Sequence, residues 1–220
     1  MREVVIFGNG QIAEVIHYYL TREGGRRVAA FTVDRNFISA EQHVGLPVVP
    51  FEDVETVFPP DLHDMFVGIG YRHTTKLREA KFKEAAAKGY TLASHVSPRA
   101  VVWPDFRINP NTFIMENNVI QPFTTIGSNV MLWSGNHIGH HSRIDDHCFL
   151  ASHIVVSGGV HIGERTFIGV NVTISNNIRI GARNVIGAGA LIVADTPDDA
   201  VYKEDATPIS KVPSSRLRSI

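Results

Sequence analysis

The sequence has little cysteine, no excess of charge of either sign and no long apolar run. Its 220 residues include one cysteine, Cys148, so no disulfide forms within the chain and a reducing compartment is expected. Lys and Arg total 21 against 22 Asp and Glu, which excludes a global basic field for nucleic acid or anionic lipid. No run approaches the roughly 18 apolar residues of a membrane span, and the apolar segment that follows Met1 is too short for a signal-peptide core. These absences predict a soluble cytoplasmic protein.

The part of the chain before residue 94 alternates short apolar runs with segments of helical period. Strands are predicted at 4–7, 28–33, 46–49 and 65–69, and helices at 11–22 and 73–88. This order indicates a small parallel sheet with crossover helices. Gly8-Asn9-Gly10 opens the first helix in a Gly-x-Gly-x-x-Ala pattern, and Asp34 ends the second strand. Because glycine backbone at a helix N-terminus favours phosphate, a nucleotide is expected here. A dinucleotide such as NAD is one alternative, although the segment is only half of a doubly wound domain.

The rest of the chain follows a period of six. Every sixth residue from Ile108 to Ile192 is Ile, Leu or Val. Neither an α-helix nor a flat strand has this period. A parallel β-helix does, because each short strand and its turn contribute one inward side chain. Three sextets form one coil of 18 residues, which predicts five coils between 108 and 197. Cys148 lies on a second row of small or aliphatic side chains and is predicted to be a buried packing residue rather than a reactive thiol.

Stacking by 18 residues places two histidines beneath two glycines. The column of His140 reads Pro122, His140, Gly158 and Asn176, and its neighbour reads Phe123, His141, Gly159 and Asn177. Bare backbone above the histidines leaves room for a narrow chain such as pantetheine and offers N–H groups to an oxyanion. The simpler interpretation is a glycine turn beside surface histidines.

Six of the 11 histidines lie between His137 and His161, and two kinds of chemistry are open. Histidine suits a general base, because a sugar hydroxyl or ammonium must lose a proton before it attacks a thioester. The alternative is zinc held by three converging histidines, for example His137, His141 and His153 across a subunit seam. The stacking columns of His147 and His161 contain arginines, which predicts that both lie on solvated faces.

The unbroken Ile-Gly sextets, which close on Gly187-Ala188-Gly189-Ala190, resemble the left-handed β-helix hexapeptide acyltransferases. With a small α/β segment in front, the chain resembles the sugar acyltransferases that include bacillosamine-pathway and perosamine N-acetyltransferases and sialic acid O-acetyltransferases. The resemblance implies an α/β Rossmann-like domain at 1–93 that binds a nucleotide sugar, an all-β left-handed parallel β-helix at 94–197 that carries the acyltransferase site, and a tail at 198–220. It also implies acetyl-CoA as co-substrate, a homotrimer with sites at the seams, no nucleic acid or membrane partner, and a role in polysaccharide biosynthesis.

The resemblance assigns roles to individual residues. A family catalytic base falls at His140, and the next position, usually acidic, is His141, so Asp145 or Asp146 is a candidate to orient the base. A second family histidine falls at Phe149, and a C-terminal Pro-Ala-Lys appears loosely as Pro208-Ile209-Ser210-Lys211. Substrate contacts are implied at Gly8, Asn9, Gly10, Asp34, Gly70, Tyr71 and Arg72, and acyl-CoA contacts at Gly158, Gly159, Gly169, Ala188 and Lys211.

The leading hypothesis is therefore an acetyl-CoA-dependent transferase that acts on the amino group of a nucleotide-linked deoxyamino sugar, with His140 as base. A sugar O-acetyltransferase is the first alternative, because His141 replaces the usual acid. A metal-dependent hydratase and a non-enzymatic nucleotide-binding scaffold are alternatives of another class. Sequence leaves the nucleotide, the sugar and the acyl group open.

Overall fold

The first part of the chain is a mostly parallel sheet with helices on its faces. The structure is a computed structural model that describes residues 2–71, 74–204, 208–210 and 212–216. Its first elements are β1 (Glu3–Phe7), α1 (Gln11–Arg22), β2 (Val28–Val33), β3 (Gln42–His43), β4 (Leu46–Pro50), α2 (Val54–Val57), β5 (His63–Val67), α3 (Lys76–Ala87) and β6 (Thr91–Leu92). The strand order is β3-β4-β2-β1-β5-β6, and only the β3–β4 pair is antiparallel among the described pairs.

Two predicted boundaries in this part were wrong. The fourth predicted strand lies two residues earlier, at His63–Val67, because Gly68 donates to the carbonyl of Phe7 and the chain then leaves the sheet. The helix predicted from residue 73 begins at Lys76. Thr74 and Thr75 before it have φ of 47° and 59°, a left-handed backbone that cannot continue a right-handed helix.

The second part is a triangular β-helix of two-residue strands. They are β7 (His95–Val96), β8 (Phe113–Ile114), β9 (Val119–Ile120), β10 (Thr125–Ile126), β11 (Met131–Leu132), β12 (His137–Ile138), β13 (Arg143–Ile144), β14 (Phe149–Leu150), β15 (Val155–Val156), β16 (His161–Ile162), β17 (Phe167–Ile168), β18 (Thr173–Ile174), β19 (Arg179–Ile180), β20 (Val185–Ile186), β21 (Leu191–Ile192) and β22 (Val201–Tyr202). They form sheet I (β22-β20-β17-β14-β11-β8-β7), sheet II (β21-β18-β15-β12-β9) and sheet III (β10-β13-β16-β19).

The stripe of period six is the core of this prism, with one exception. Every anchor from Ile114 to Ile192 is buried, and strands pair with the strand 18 residues away, as in Met131 with Phe149. The first predicted anchor, Ile108, is 39% exposed, because it lies in no paired strand. At the other end, β22 adds to sheet I beyond residue 197.

The corners of the prism share one backbone conformation. Every sixth residue from Asn111 to Gly189 has a positive φ, a conformation that glycine and asparagine adopt most readily. Histidines occupy this position at 141, 147 and 153, and a phenylalanine occupies it at Phe123. A bulky residue in the left-handed region is uncommon, so Phe123 stands out.

The front sheet and the prism share a core. One hydrophobic cluster contains Phe31 and Phe66 of the front sheet together with Phe113 and Phe149 of sheet I. Asn111 at a prism corner accepts a hydrogen bond of 2.7 Å from the Val67 N–H at the end of β5. Sheet I is therefore covered by the front sheet and its helices, whereas sheets II and III carry no such cover within the described residues.

Candidate active site at the sheet II–III corner

His140 and His141 lie side by side in the turn between β12 and β13, where sheet II meets sheet III. Both are exposed. Their Nδ1 atoms are 3.0 Å apart, and the two rings are nearly perpendicular at 86°. His141 has φ of 59°, so its side chain leaves the corner in a different direction from that of His140 and the two rings meet edge to face.

The coil above the pair is open over His140. A Cβ added to Gly158 would lie 2.6 Å from Cε1 and 2.7 Å from Nε2 of His140, so only a residue without a side chain leaves this ring in place. The register of 18 residues predicted this stacking. The expectation that both glycines offer free N–H groups was wrong, because Gly158 N–H donates to Asn176 Oδ1 and Gly159 N–H donates to the His140 carbonyl.

Neither nearby aspartate orients His140. Asp145 is 2.8 Å from His161 Nε2 and 2.6 Å from Arg143 Nε. Burial alone would raise the pKa of Asp145, but hydrogen bonds from His161 and Arg143 hold it below its ordinary value. Asp146 accepts from the Ser128 N–H at 2.7 Å. The candidates Asp145 and Asp146 thus have other partners, and the one ring partner of His140 among the described residues is His141.

The next histidine at the equivalent turn position, His147, has the opposite surroundings to those predicted. It is 6% exposed rather than on a solvated face, its Nδ1 is 2.9 Å from Asn129 Nδ2, and Phe82 of α3 packs against it edge to face. Burial lowers its pKa. The prediction was wrong because stacking within the prism does not reveal that α3 covers this corner. His161 is partly exposed on sheet III, where it pairs with Asp145.

The same covered corner holds Cys148 and an arginine that sequence patterns missed. Cys148 is fully buried, as predicted for a packing residue, and burial raises its pKa to about 12. Arg78 of α3 is also fully buried, and its guanidinium donates to the carbonyls of His147 and Cys148 at 2.9 Å. Burial lowers the pKa of Arg78 to about 9, and no charged group among the described residues forms an ion pair with it. Nothing in the helical pattern of α3 indicates this contact.

The carboxyl ends of β1 and β5 form the switch point of the front sheet, where the direction of the crossover connections changes, and we refer to the region outside these strand ends as the front crevice. Such a switch point is where open α/β sheets bind ligands. Gly8 has φ of 123°, and a Cβ there would lie 2.8 Å from the Gly68 carbonyl oxygen, so this position requires glycine. Gly10 precedes α1 and has open space beside it, which leaves the N-terminus of α1 accessible. Asn9 donates a long hydrogen bond of 3.4 Å to the Phe37 carbonyl.

The other predicted substrate residues lie around this crevice, and each makes a different contact. The Asp34 carboxylate is 2.6 Å from Lys81 Nζ of α3, so it already has a cationic partner. Gly70 packs against Ile12, since a Cβ there would meet its side chain at 2.8 Å. Tyr71 lies against Phe149 and Phe167 on sheet I, with ring centroids 5.0 and 4.3 Å away. Phe149, which stands where the family resemblance expects a second histidine, therefore packs where the front crevice meets the prism. Arg72 lies outside the described residues.

The predicted acyl-CoA contacts fall on two different corners. Gly158 and Gly159 lie at the sheet II–III corner with His140. Gly169 and Ala188 stack on each other at the sheet I–II corner, where a Cβ on Gly169 would lie 2.7 Å from the Ala188 nitrogen. Lys211 lies outside the described residues. The two pairs therefore flank sheet II from opposite edges.

Within residues 2–71, 74–204, 208–210 and 212–216, no group of three or more His, Cys, Asp or Glu side chains is arranged to hold a metal ion. The zinc alternative built on His137, His141 and His153 concerns a seam between subunits and stays a hypothesis about an assembly.

Comparison with known proteins decides the family. A family model described as bacterial transferase hexapeptide (six repeats) matches residues 159–194. A crystal structure of a histidine-to-asparagine variant of perosamine N-acetyltransferase from Caulobacter crescentus, in complex with CoA and GDP-perosamine, is similar with a TM-score of 0.84 and 30% identity over 93% of this chain and 94% of that chain. This chain belongs to the left-handed β-helix sugar acetyltransferases. It is therefore an acyltransferase, and the predicted fold class is confirmed.

Two more distant solved structures share this fold. The acetyltransferase domain of PglB from Neisseria gonorrhoeae, in complex with acetyl coenzyme A, has a TM-score of 0.64 and 23% identity over 94% of this chain and 99% of that one. WeeI from Acinetobacter baumannii has a TM-score of 0.79 and 17% identity over 91% and 96%. Sequence comparison with curated proteins gave no match. No helix in the described part of the chain has the length and apolarity needed to cross a bilayer.

Proposed function

We propose that this acetyltransferase transfers an acetyl group from acetyl-CoA to the amino group of a nucleotide-linked deoxyamino sugar, with His140 as the general base. The observation that carries the proposal is the exposed His140 ring beneath the bare backbone of Gly158. This arrangement combines a base with a clear approach for a narrow thioester. The similar Caulobacter crescentus structure holds CoA and GDP-perosamine, which supports both ligand classes.

The reaction needs one base that first takes and then returns a proton. The sugar amine, in its neutral form, attacks the thioester carbonyl carbon, and His140 Nε2 accepts a proton from the attacking nitrogen. The C–S bond then breaks, and the CoA sulfur receives this proton. The products are the acetylated sugar and CoA thiol. Gly159 N–H is held by the His140 carbonyl and Gly158 N–H by the exposed side chain of Asn176, so an oxyanion would have to replace Asn176 at Gly158 or use other donors.

The nucleotide part of the acceptor fits the front crevice. Gly8, Asn9 and Gly10 surround the open N-terminus of α1, which favours a diphosphate. Tyr71 joins this crevice to sheet I by its contacts with Phe149 and Phe167. We propose that Asp34 reaches the base or sugar from the edge of the same crevice while it stays paired with Lys81. The domain limits 1–93, 94–197 and 198–220 remain predictions.

A homotrimer with three seam sites belongs to the same proposal. Outward-facing apolar side chains such as Val155 and Leu191 lie exposed on sheet II. The glycine pairs at the two edges of sheet II would contact one CoA molecule most simply if the molecule lay in a seam between two copies. Light scattering should give a mass three times 24.3 kDa, and a monomer would contradict this part.

The decisive experiment follows CoA thiol release from acetyl-CoA with UDP-, dTDP- and GDP-linked 3-amino and 4-amino sugars and with free sialic acid. Turnover with one amino sugar, lowered about 10²- to 10⁴-fold in His140→Ala, is expected. His161→Ala is the matched histidine control and should retain turnover. Turnover with hydroxyl acceptors alone would contradict the N-acetyl assignment in favour of O-acetylation. If no acceptor on this panel leads to thiol release, the proposed class of acceptor is wrong.

A further inference from the structure

We propose that His141 is the positioning residue that selects the catalytic tautomer of His140, in place of a carboxylate. The inference rests on the proposed role of His140 as base. Its starting point is the distance of 3.0 Å between the two Nδ1 atoms. A neutral imidazole has one N–H donor and one acceptor nitrogen. Two facing Nδ1 atoms at this distance have room for one hydrogen between them, so one ring donates and the other accepts.

Only one of the two arrangements leaves a base. If His140 holds the shared hydrogen on Nδ1, its Nε2 has a free lone pair and can take a proton from the sugar. If His141 holds it, the hydrogen of His140 lies on Nε2, and the ring cannot act as base. His140 Nε2 faces the bare side of Gly158 and has no acceptor among the described residues. Because the proposed base needs this lone pair, the shared hydrogen is assigned to His140 Nδ1 and the acceptor role to His141 Nδ1.

The pair also handles the charge that catalysis creates. When His140 Nε2 takes the proton, the two rings hold three hydrogens: one between the Nδ1 atoms and one on each Nε2. The shared hydrogen then spreads the positive charge over both rings. An adjacent carboxylate would stabilise the same positive charge by its opposite charge. Asp145 and Asp146 do not fill that role, because Asp145 binds His161 and Asp146 binds the Ser128 N–H.

Phe123 holds the orientation of His141. Its ring centroid lies 4.7 Å from that of His141, and the planes are tilted by 37°. Phe123 is 71% exposed and has φ of 64°. A bulky residue in this left-handed position is strained, whereas five other corners have asparagine there. Burial does not explain a phenylalanine here, but its contact with His141 does.

The test compares two substitutions that the turn tolerates. His141→Gly deletes the acceptor and keeps a backbone that Gly135 and Gly159 show at equivalent corners. His141→Asn keeps an acceptor, its side-chain carbonyl, at a comparable reach. The expected results are a fall in kcat of about 10- to 100-fold for His141→Gly with little change in KM, and rescue of kcat in His141→Asn. Asn117→Gly, at an exposed corner of the same type, controls for the turn and should behave as the parent protein.

Nitrogen NMR of ¹⁵N-histidine-labelled protein at pH 8 reports the tautomer of His140. This tautomer would not change between variants if His141 had only a structural role. His140 should carry its hydrogen on Nδ1 in the parent protein and in His141→Asn, and lose this preference in His141→Gly. A hydrogen on His140 Nε2 in the parent protein, or equal kcat in His141→Gly, would overturn the inference. Full turnover by His140→Ala would instead overturn the proposed base. Should no acceptor on the panel react, the NMR result alone decides the role of His141.

Discussion

His141 and His147 occupy the same turn position at successive corners of one coil, and their environments are opposite. His141 is exposed, faces His140 and lies against Phe123. His147 is buried, contacts Asn129 and lies beneath Phe82 of α3. Their backbones hardly differ, with φ of 59° and 65°. The difference therefore comes from what covers each corner.

This comparison shows how a repetitive prism acquires one site. Each corner repeats the same backbone, so any of them can display two side chains and a glycine above them. The front helices cover the corner between sheets III and I, and histidine there becomes a neutral packing group. The corner between sheets II and III stays open, and histidine there keeps its access to solvent and substrate.

The largest effect is expected from closing the open corner. Gly158→Ala places a Cβ within 2.7 Å of the present positions of His140 Cε1 and Nε2, so the ring must move. We expect kcat to fall about 100-fold with no loss in melting temperature, since the ring has solvent to move into. Because Gly158 also borders the approach proposed for the thioester, the same substitution should cost less in a His140→Ala background than in the parent protein. Additive losses would contradict an action through His140.

The covered corner should respond in stability rather than in catalysis. Arg78→Ala leaves a cavity and removes the donor from the carbonyls of His147 and Cys148. We expect a loss of about 2–4 kcal/mol in the free energy of unfolding, measured with urea. Lys83→Ala, on the exposed side of α3, should cost no more than about 0.5 kcal/mol. Equal losses from both variants would show that Arg78 does not join the two parts.

The buried histidine makes stability depend on pH. Burial lowers the pKa of His147 in the folded protein, so below about pH 6.5 the unfolded chain binds the proton more readily and stability falls. His147→Asn should make the loss of stability between pH 8 and pH 5 smaller. His95 and His17, whose pKa values burial also lowers, are present in both proteins. A pH dependence identical to that of the parent would contradict the buried neutral state of His147.

The smallest effect is expected at Asp145, which lies between the two corners in sequence. Its carboxylate binds His161 and Arg143 and does not contact His140. Asp145→Asn should leave kcat within about twofold of the parent and cost at most about 1 kcal/mol in stability. A loss of kcat as large as that of His141→Gly would show that Asp145, not His141, orients the base.

The prism and its stacking could be predicted because they repeat. Fourteen consecutive anchors from Ile114 to Ile192 lie inward, and the register of 18 residues correctly places Gly158 over His140. Phe123 is also unusual in the sequence, because it is the one apolar residue in a series of asparagine, glycine, histidine and arginine corners from Asn111 to Gly189. This feature becomes interpretable only once the ring contact with His141 is known.

The predictions that failed depend on contacts between distant parts of the chain. The exposure of His147 was misjudged because α3, some 70 residues earlier, covers it; Arg78 and Cys148 are 70 residues apart. The free N–H groups expected at Gly158 and Gly159 are taken by Asn176 and by the His140 carbonyl. Hydrogen bonds between coils and the position of a docked helix have no periodic trace in the sequence.

Sequence by itself determined the prism, because a period of six in aliphatic residues has one efficient way to bury itself. It also determined that two histidines stand beneath two glycines. Tertiary structure decided which corner stayed open, because the front sheet and α3 bury sheet I and the corner beside it. It also decided that His141, rather than an aspartate, is the partner of His140. Asp145 binds His161 and Arg143, and Asp146 binds the Ser128 N–H.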